Sequence, residues 1–182
     1  MALTLFLFYT MPFGSVGTML SQMEKETSIE KVIILKGAGG RGKTPTLHLL
    51  IDLLISKGAT RIHDEGYTSD IHQDCFLILD LPGFGNVGII TYGDRGCEAD
   101  VEKALNECLG RGCRAVVGAS HMQYYKNPPT VYKILWDFGS THNAKTVETT
   151  TIIKADGWGQ PINETSLNTI CAENLFNLLL KL

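Results

Sequence analysis

The chain has 182 residues, 44% of them hydrophobic and 19% charged, which suits one domain with a substantial core. Its formal net charge is −3, so it lacks the basic excess that a broad nucleic-acid footprint requires. The five cysteines, Cys75, Cys97, Cys108, Cys113 and Cys171, form no C-x-x-C pair and cannot all pair within one chain; they read as reduced thiols of a cytoplasmic protein.

Residues Met1 to Gln22 carry no charge. Ala2 to Tyr9 is largely apolar, whereas Pro12, Gly14 and Gly17 interrupt the remainder of this segment. The length would permit a membrane span of about 20 residues, but the basic n-region of a secretory signal is missing. Residues 1–28 are therefore expected to form an apolar extension outside the fold, upstream of a start at Met19 or Met23. A membrane anchor and a segment packed on the domain are the alternatives.

From Ile29 onward, strand patterns alternate with helical ones, which predicts an α/β domain over 29–182 with a mainly parallel sheet. The first strand is Val32 to Leu35. It runs into Gly37-Ala38-Gly39-Gly40-Arg41-Gly42-Lys43-Thr44, and Leu47, Leu50, Ile51 and Leu54 then recur at helical spacing, predicting a helix over 44–56. Thr60 to His63 reads as a second strand and Gly66 to Asp74 as a polar loop. Cys75 to Leu81 and Val87 to Tyr92 are strand-like runs joined by Pro82-Gly83-Phe84-Gly85-Asn86, which suggests a hairpin.

A helix is expected over 98–109, with Val101, Ala104, Leu105 and Cys108 on one face and Gly110-Arg111-Gly112 as its stop. Ala115 to Gly118 is a short buried strand left through Ala119-Ser120-His121. Pro128-Pro129 opens a helix striped by Val131, Ile134, Leu135 and Phe138. Thr146 to Ile153 is a β-branched strand and Asp156 to Gln160 a loop. Leu167 to Leu182 closes the chain as a helix with Leu175, Leu178, Leu179 and Leu182 toward the core.

The segment Gly37 to Thr44 fills every fixed position of G-x-x-x-x-G-K-[ST], after an apolar strand and before a helix. In this it resembles the P-loop nucleoside triphosphatase superfamily. The residue types suit a polyphosphate: glycines at 37, 39, 40 and 42 let backbone N–H groups turn inward, and the helix N-terminus adds unpaired amides and the positive end of its dipole. Pro45 falls in the first turn, where a missing N–H costs nothing. The resemblance implies a three-layer fold in which Gly37, Ala38, Gly39, Gly40, Arg41, Gly42, Lys43 and Thr44 bind the nucleotide. Lys43 would reach the β- and γ-phosphates and Thr44 would ligate Mg²⁺. ATP is the expected cofactor, with GTP as the alternative, and a nucleotide site supplied from the cytosol argues against export.

Such a site calls for a second carboxylate at the end of a neighbouring strand. Asp80 ends Phe76-Leu77-Ile78-Leu79, and Asp94 follows Gly88-Ile89-Ile90-Thr91-Tyr92-Gly93. If the hairpin holds, the two lie at opposite ends of the sheet. Counting strand directions from the first strand brings Asp94 to the ligand edge, so Lys43 and Asp94 are the expected catalytic pair, Thr44 and Asp94 the metal residues, and Asp80 the alternative. Asp64, Glu65, Ser120 and His121 fall on the same edge. Asp64 or Glu65 could meet an acceptor hydroxyl or be plain solvated acids, and His121 with Tyr124-Tyr125 could line a base or acceptor pocket. Arg41 and Arg95 could touch phosphate, while Arg111 and Arg114 belong to the far edge. His48 is expected on the polar side of its helix.

These residues support three functional readings. Domain size and the short strand–helix units suit a nucleoside or nucleotide kinase-like enzyme acting on a small-molecule acceptor, and Val87 to Asp94 loosely resembles kinase-like P-loop ATPases; the arginine-rich lid of a kinase is missing. A GTPase would use Asp80-Leu81-Pro82-Gly83 on the γ-phosphate and Ile153-Lys154-Ala155-Asp156, with Ile153 out of pattern, on guanine. A nucleotide-binding regulatory domain with little turnover is the third.

Overall fold

The computed structural model describes residues 28–121, 130–151 and 164–181. Strands β1 (Lys31–Lys36), β2 (Thr60–Glu65), β3 (Phe76–Leu81), β4 (Gly85–Ile90), β5 (Ala115–Ser120) and β6 (Lys145–Thr150) form one sheet in the order β2-β3-β4-β5-β1-β6. Helices α1 (Lys43–Ser56), α2 (Glu98–Gly110), α3 (Val131–Thr141) and α4 (Glu164–Leu180) complete the described elements. No helix among the described residues is long and apolar enough to cross a membrane.

The runs of consecutive apolar residues in β1, β3 and β5 belong to strands covered on both faces. On one face, Ile33, Leu35, Leu77 and Val117 pack with Leu47, Leu50 and Leu54 of α1 and Ala172, Leu175 and Leu179 of α4. On the other, Val32, Ile34, Ile78 and Val116 pack with Val101, Leu105 and Cys108 of α2 and Val131 and Leu135 of α3. The sheet thus separates two apolar cores, each covered by two helices. The edge strands β2 and β6 are polar and largely exposed, as strands with one open side must be.

Strand directions agree with the sequence pattern. β1 pairs in parallel with β5 and β6, and β4 in parallel with β5, while β3 alone is antiparallel to both its neighbours. The hairpin is tighter than expected. Leu81 pairs with Gly85, and Phe84 N–H donates to the Leu81 carbonyl at 2.9 Å. Pro82 and Gly83 (φ 77°) take the two central positions of a type II-like turn, so β4 starts at Gly85 rather than Val87 and ends at Ile90. β5 runs on to Ser120, and α4 starts at Glu164, about a turn before the expected start at Leu167. Thr130 caps α3, accepting from Lys133 N–H at 3.4 Å. Residues 1–27, Pro128-Pro129 and 152–163 lie outside the described residues.

One buried charge ties the layers together. Lys31, 1% exposed, opens β1 and points its ammonium at the end of α4, donating to the carbonyls of Leu178 (2.5 Å) and Lys181 (2.7 Å). These carbonyls lack partners within the helix, and a cation there also meets the negative end of the helix dipole. Burial, and then the charge of Lys145, lowers the Lys31 pKa from 10.5. Over the window just below 10.5 the unfolded chain therefore binds more protons at this position, and its contribution to stability rises with pH. Lys31→Met keeps the stem but removes the donors. It is expected to cost about 1–3 kcal/mol, read as a lower urea midpoint at pH 7, and to abolish that alkaline rise; an unchanged midpoint would show that the helix end does not depend on the lysine.

Candidate functional site

Parallel strands deliver their C-terminal ends, and the loops beyond them, to one edge of the sheet. There β1 passes into the turn from Gly37 to Gly42, where Gly40 and Gly42 hold left-handed angles of φ 67° and 79°. Neighbouring elements restrict this turn further. A Cβ on Gly42 would stand 2.5 Å from Asn168 Oδ1 on α4, and one on Gly37 would stand 2.7 Å from Thr151 Oγ1 just past β6. Glycine is therefore required at 42 by conformation and by space together.

Lys43 is the first residue of α1 and is 6% exposed. Its stem runs close to Gly37 and Gly93; a Cβ on Gly93 would approach Lys43 Cε to 3.0 Å. The ammonium emerges beside the turn, donating to the Ala38 carbonyl at 3.3 Å and standing 3.6 Å from Asp94 Oδ1. Asp94 is 65% exposed, so the pair combines a sheathed cation with an open carboxylate. The lysine is thereby aimed without being neutralised by a buried partner.

The next residue makes the other polar link. Thr44 Oγ1 donates to Asp74 Oδ1 at 3.0 Å, which leaves the hydroxyl lone pairs free. Asp74 sits just before β3. Because β3 runs against its neighbours, its beginning lies on the same edge as the ends of β1, β4 and β5. The position of Asp74 is set from both sides: His48 Nε2 donates to the Gln73 carbonyl at 2.8 Å, and Cys75 N–H donates to Thr91 Oγ1 at 2.6 Å. Burial pushes the Cys75 thiol up to about 11, so it stays protonated at neutral pH and is a packing group rather than a nucleophile.

Together these groups open on a cleft of about 520 Å³ lined by Gly40 to Pro45, by Ile71, His72 and Asp74, by Thr91, Gly93 and Asp94, and by Glu164, Thr165 and Asn168. Hydroxyl and carboxylate oxygens meeting beside a lysine and a glycine-rich turn form a donor set suited to a hard cation that keeps much of its water, and to the anion it accompanies. Among the described residues, no cluster of three or more His, Cys, Asp and Glu side chains is placed to hold a metal by itself.

The expected residues separate clearly. Gly40, Arg41, Gly42, Lys43, Thr44 and Asp94 share the cleft; Gly37 and Ala38 abut Lys43, and His121 Nε2 lies 3.6 Å from where a Gly39 Cβ would be. Asp80 does not join them. It pairs in register with Thr60 and Asn86 at the opposite end of the sheet, beside a second hollow containing Pro82, Gly83 and Arg114. Asp64 accepts from the Tyr67 N–H at 3.1 Å, and Glu65 pairs with Lys103 at 3.2 Å, both ordinary structural duties. Arg111 and Arg114 hold Glu107 and Glu30 away from the cleft. His48 corrects the expectation of a polar face: it is fully buried and stacked on Tyr67 at 5.1 Å. Tyr124-Tyr125 and Ile153 to Asp156 lie outside the described residues.

Sequence reasoning missed Asp74, Thr91, Thr151 and Asn168. The one available signal was Asp74's place at the start of the reversed strand.

Cys97 is half-buried and donates its N–H to the Asp94 carbonyl at 3.4 Å, while the other four cysteines are buried. All five are free thiols. Ellman's reagent at pH 8 is expected to modify Cys97 first and alone in the folded protein, and all five in guanidinium; rapid reaction of a second thiol would contradict this burial pattern. Comparison with protein-family models, with characterised proteins and with solved structures finds no match.

Proposed function

We propose that the chain is a Mg²⁺-dependent nucleoside triphosphate-binding protein of the P-loop type, with ATP preferred and phosphoryl transfer or hydrolysis as its reaction class. The observation that carries this reading is the pairing of Lys43 with Asp94 and of Thr44 with Asp74 inside one cleft, at the mouth of a glycine turn. The turn's amides and the start of α1 would receive the phosphate chain, and Lys43 would neutralise its terminal oxygens. Thr44, with Asp74 and Asp94, would hold Mg²⁺, which supplies charge neutralisation when bound. Asp94, the open carboxylate, is also the group an acceptor hydroxyl or water can meet as a proton acceptor. With all five thiols unpaired, the chemistry suits a reducing, cytoplasmic setting.

A kinase-like transfer to a small-molecule acceptor is favoured over a GTPase. The segment Asp80 to Gly83, which a GTPase would need on the γ-phosphate, sits at the far end of the sheet. A regulatory domain with little turnover differs from the enzyme in rate alone, which single-turnover measurement of nucleoside diphosphate formation, the product common to transfer and hydrolysis, would expose.

Titration calorimetry with ATP and GTP at millimolar Mg²⁺ tests the reading. ATP is expected to bind more tightly than GTP, and Lys43→Ala to weaken it about 100-fold, equivalent to about 3 kcal/mol, with an unchanged melting curve. Asp74→Asn and Asp94→Asn are each expected to raise the Mg²⁺ concentration needed for binding, and Asp80→Asn to leave it unchanged. Equal affinity of Lys43→Ala and wild type would overturn the assignment.

A further inference from the structure

The cleft depends on a residue that neither bears charge nor reaches solvent. Thr91, 1% exposed, comes directly after β4 and faces the point where β3 begins. Its backbone N–H donates to the Cys75 carbonyl at 3.0 Å, continuing the antiparallel ladder one step beyond Ile90. Its hydroxyl takes over where the ladder stops. Oγ1 accepts the Cys75 N–H at 2.6 Å and stands 3.1 Å from Asp74 Oδ1 and 3.1 Å from the Cys75 carbonyl, either of which can receive its proton.

The same Asp74 oxygen receives Thr44 from the other side. Asp74 Oδ1 is therefore gripped between a hydroxyl of the glycine-turn helix and the hydroxyl just past β4. Both threonines line the cleft, but Thr91 Oγ1 is already engaged by the Cys75 N–H, Asp74 and the Cys75 carbonyl. On the reading that this cleft holds Mg²⁺ with a triphosphate, we propose that Thr91 is the positioning residue of the metal site, fixing the Asp74 carboxylate opposite Thr44 by anchoring both Asp74 and the backbone behind it. A carboxylate just ahead of a strand has rotamer freedom that the strand itself does not restrain. A hydroxyl donor at one oxygen and a clamped N–H at the next residue remove that freedom before any ligand arrives. Without them the carboxylate would have to be ordered by the cation, at a cost in cation affinity.

The experiment measures two quantities on folded protein: triphosphate affinity in EDTA, and the Mg²⁺ midpoint for the tightening of that affinity. Thr91→Val keeps the branched shape and removes the hydroxyl; Thr91→Ser restores it. The valine variant is expected to shift the Mg²⁺ midpoint about 10-fold upward with EDTA affinity unchanged, and the serine variant to return it to within about 2-fold of wild type. In an Asp74→Asn background, Thr91→Val is expected to add no further shift, because the carboxylate it positions is gone. Thr91→Ala, which leaves room for a water on the Cys75 N–H, provides the same reading if the valine variant does not fold. Where wild type does bind Mg²⁺·triphosphate, an unchanged Mg²⁺ midpoint in Thr91→Val overturns the role of Thr91 alone, as does an equal loss of EDTA and Mg²⁺ affinity or a full additive shift in the Asp74→Asn background. A wild type that binds no triphosphate overturns the underlying reading, and this inference with it.

Discussion

The direction of β3 governs the chemistry of the cleft. In a wholly parallel sheet, every strand offers its last residue to the ligand edge, and side chains that act together come from strand ends. A single reversed strand breaks that rule by offering its first residue instead. Asp74 reaches Thr44 because β3 starts where β1, β4 and β5 finish. For the same reason Asp80, at the other end of this strand, lies beside the turn at Pro82 and Gly83. Two carboxylates only six residues apart are thus sent to opposite poles of the domain by backbone polarity alone.

The glycine turn is held by elements distant in sequence. Asn168 of α4 leaves no room for a side chain on Gly42, Thr151 leaves none on Gly37, and the other end of α4 is gripped by Lys31 at the base of β1. The strand that leads into the turn and the helix that closes over it are therefore joined at both extremities. Between those ends lies one continuous apolar interface of Ile33 and Leu35 with Ala172, Leu175 and Leu179. On the proposed reading, such bracing would arrange the loop's amides before an anion arrives, since a loop that folded around its ligand would lose binding energy to ordering.

Much of this was legible in the sequence, because it depends on local pattern. The turn from Gly37 to Thr44 announces itself through residue type. The alternation of apolar runs and helical stripes is enough to orient β4 and bring Asp94 to the edge where Lys43 emerges. What was not legible depends on contacts across the sheet. Asp74 closes a polar stretch that reads as solvent-exposed loop, and only its place directly before the run from Cys75 to Leu81 sets it apart from Asp70. His48 looks polar on its helix, yet the ring of Tyr67, from beyond the next strand, covers it. Thr91 and Asn168 owe their importance to partners 16 and 122 residues away in sequence, a separation no periodicity spans. Turn geometry was a smaller miss: five turn-forming residues suggested a long hairpin loop, but Gly85 and Asn86 are drawn into the strand by pairing with Leu81 and Asp80.

Cys97 gives the cleft a practical handle. It stands three residues past Asp94, bound to its carbonyl through the backbone, and it alone of the five thiols is not sealed in a core. The molecule thus carries its own anchoring point for chemistry at the rim of the cleft. A fluorophore, a spin probe or a mild electrophile attached there would sit within a turn of Asp94, and no cysteine elsewhere would need to be engineered away.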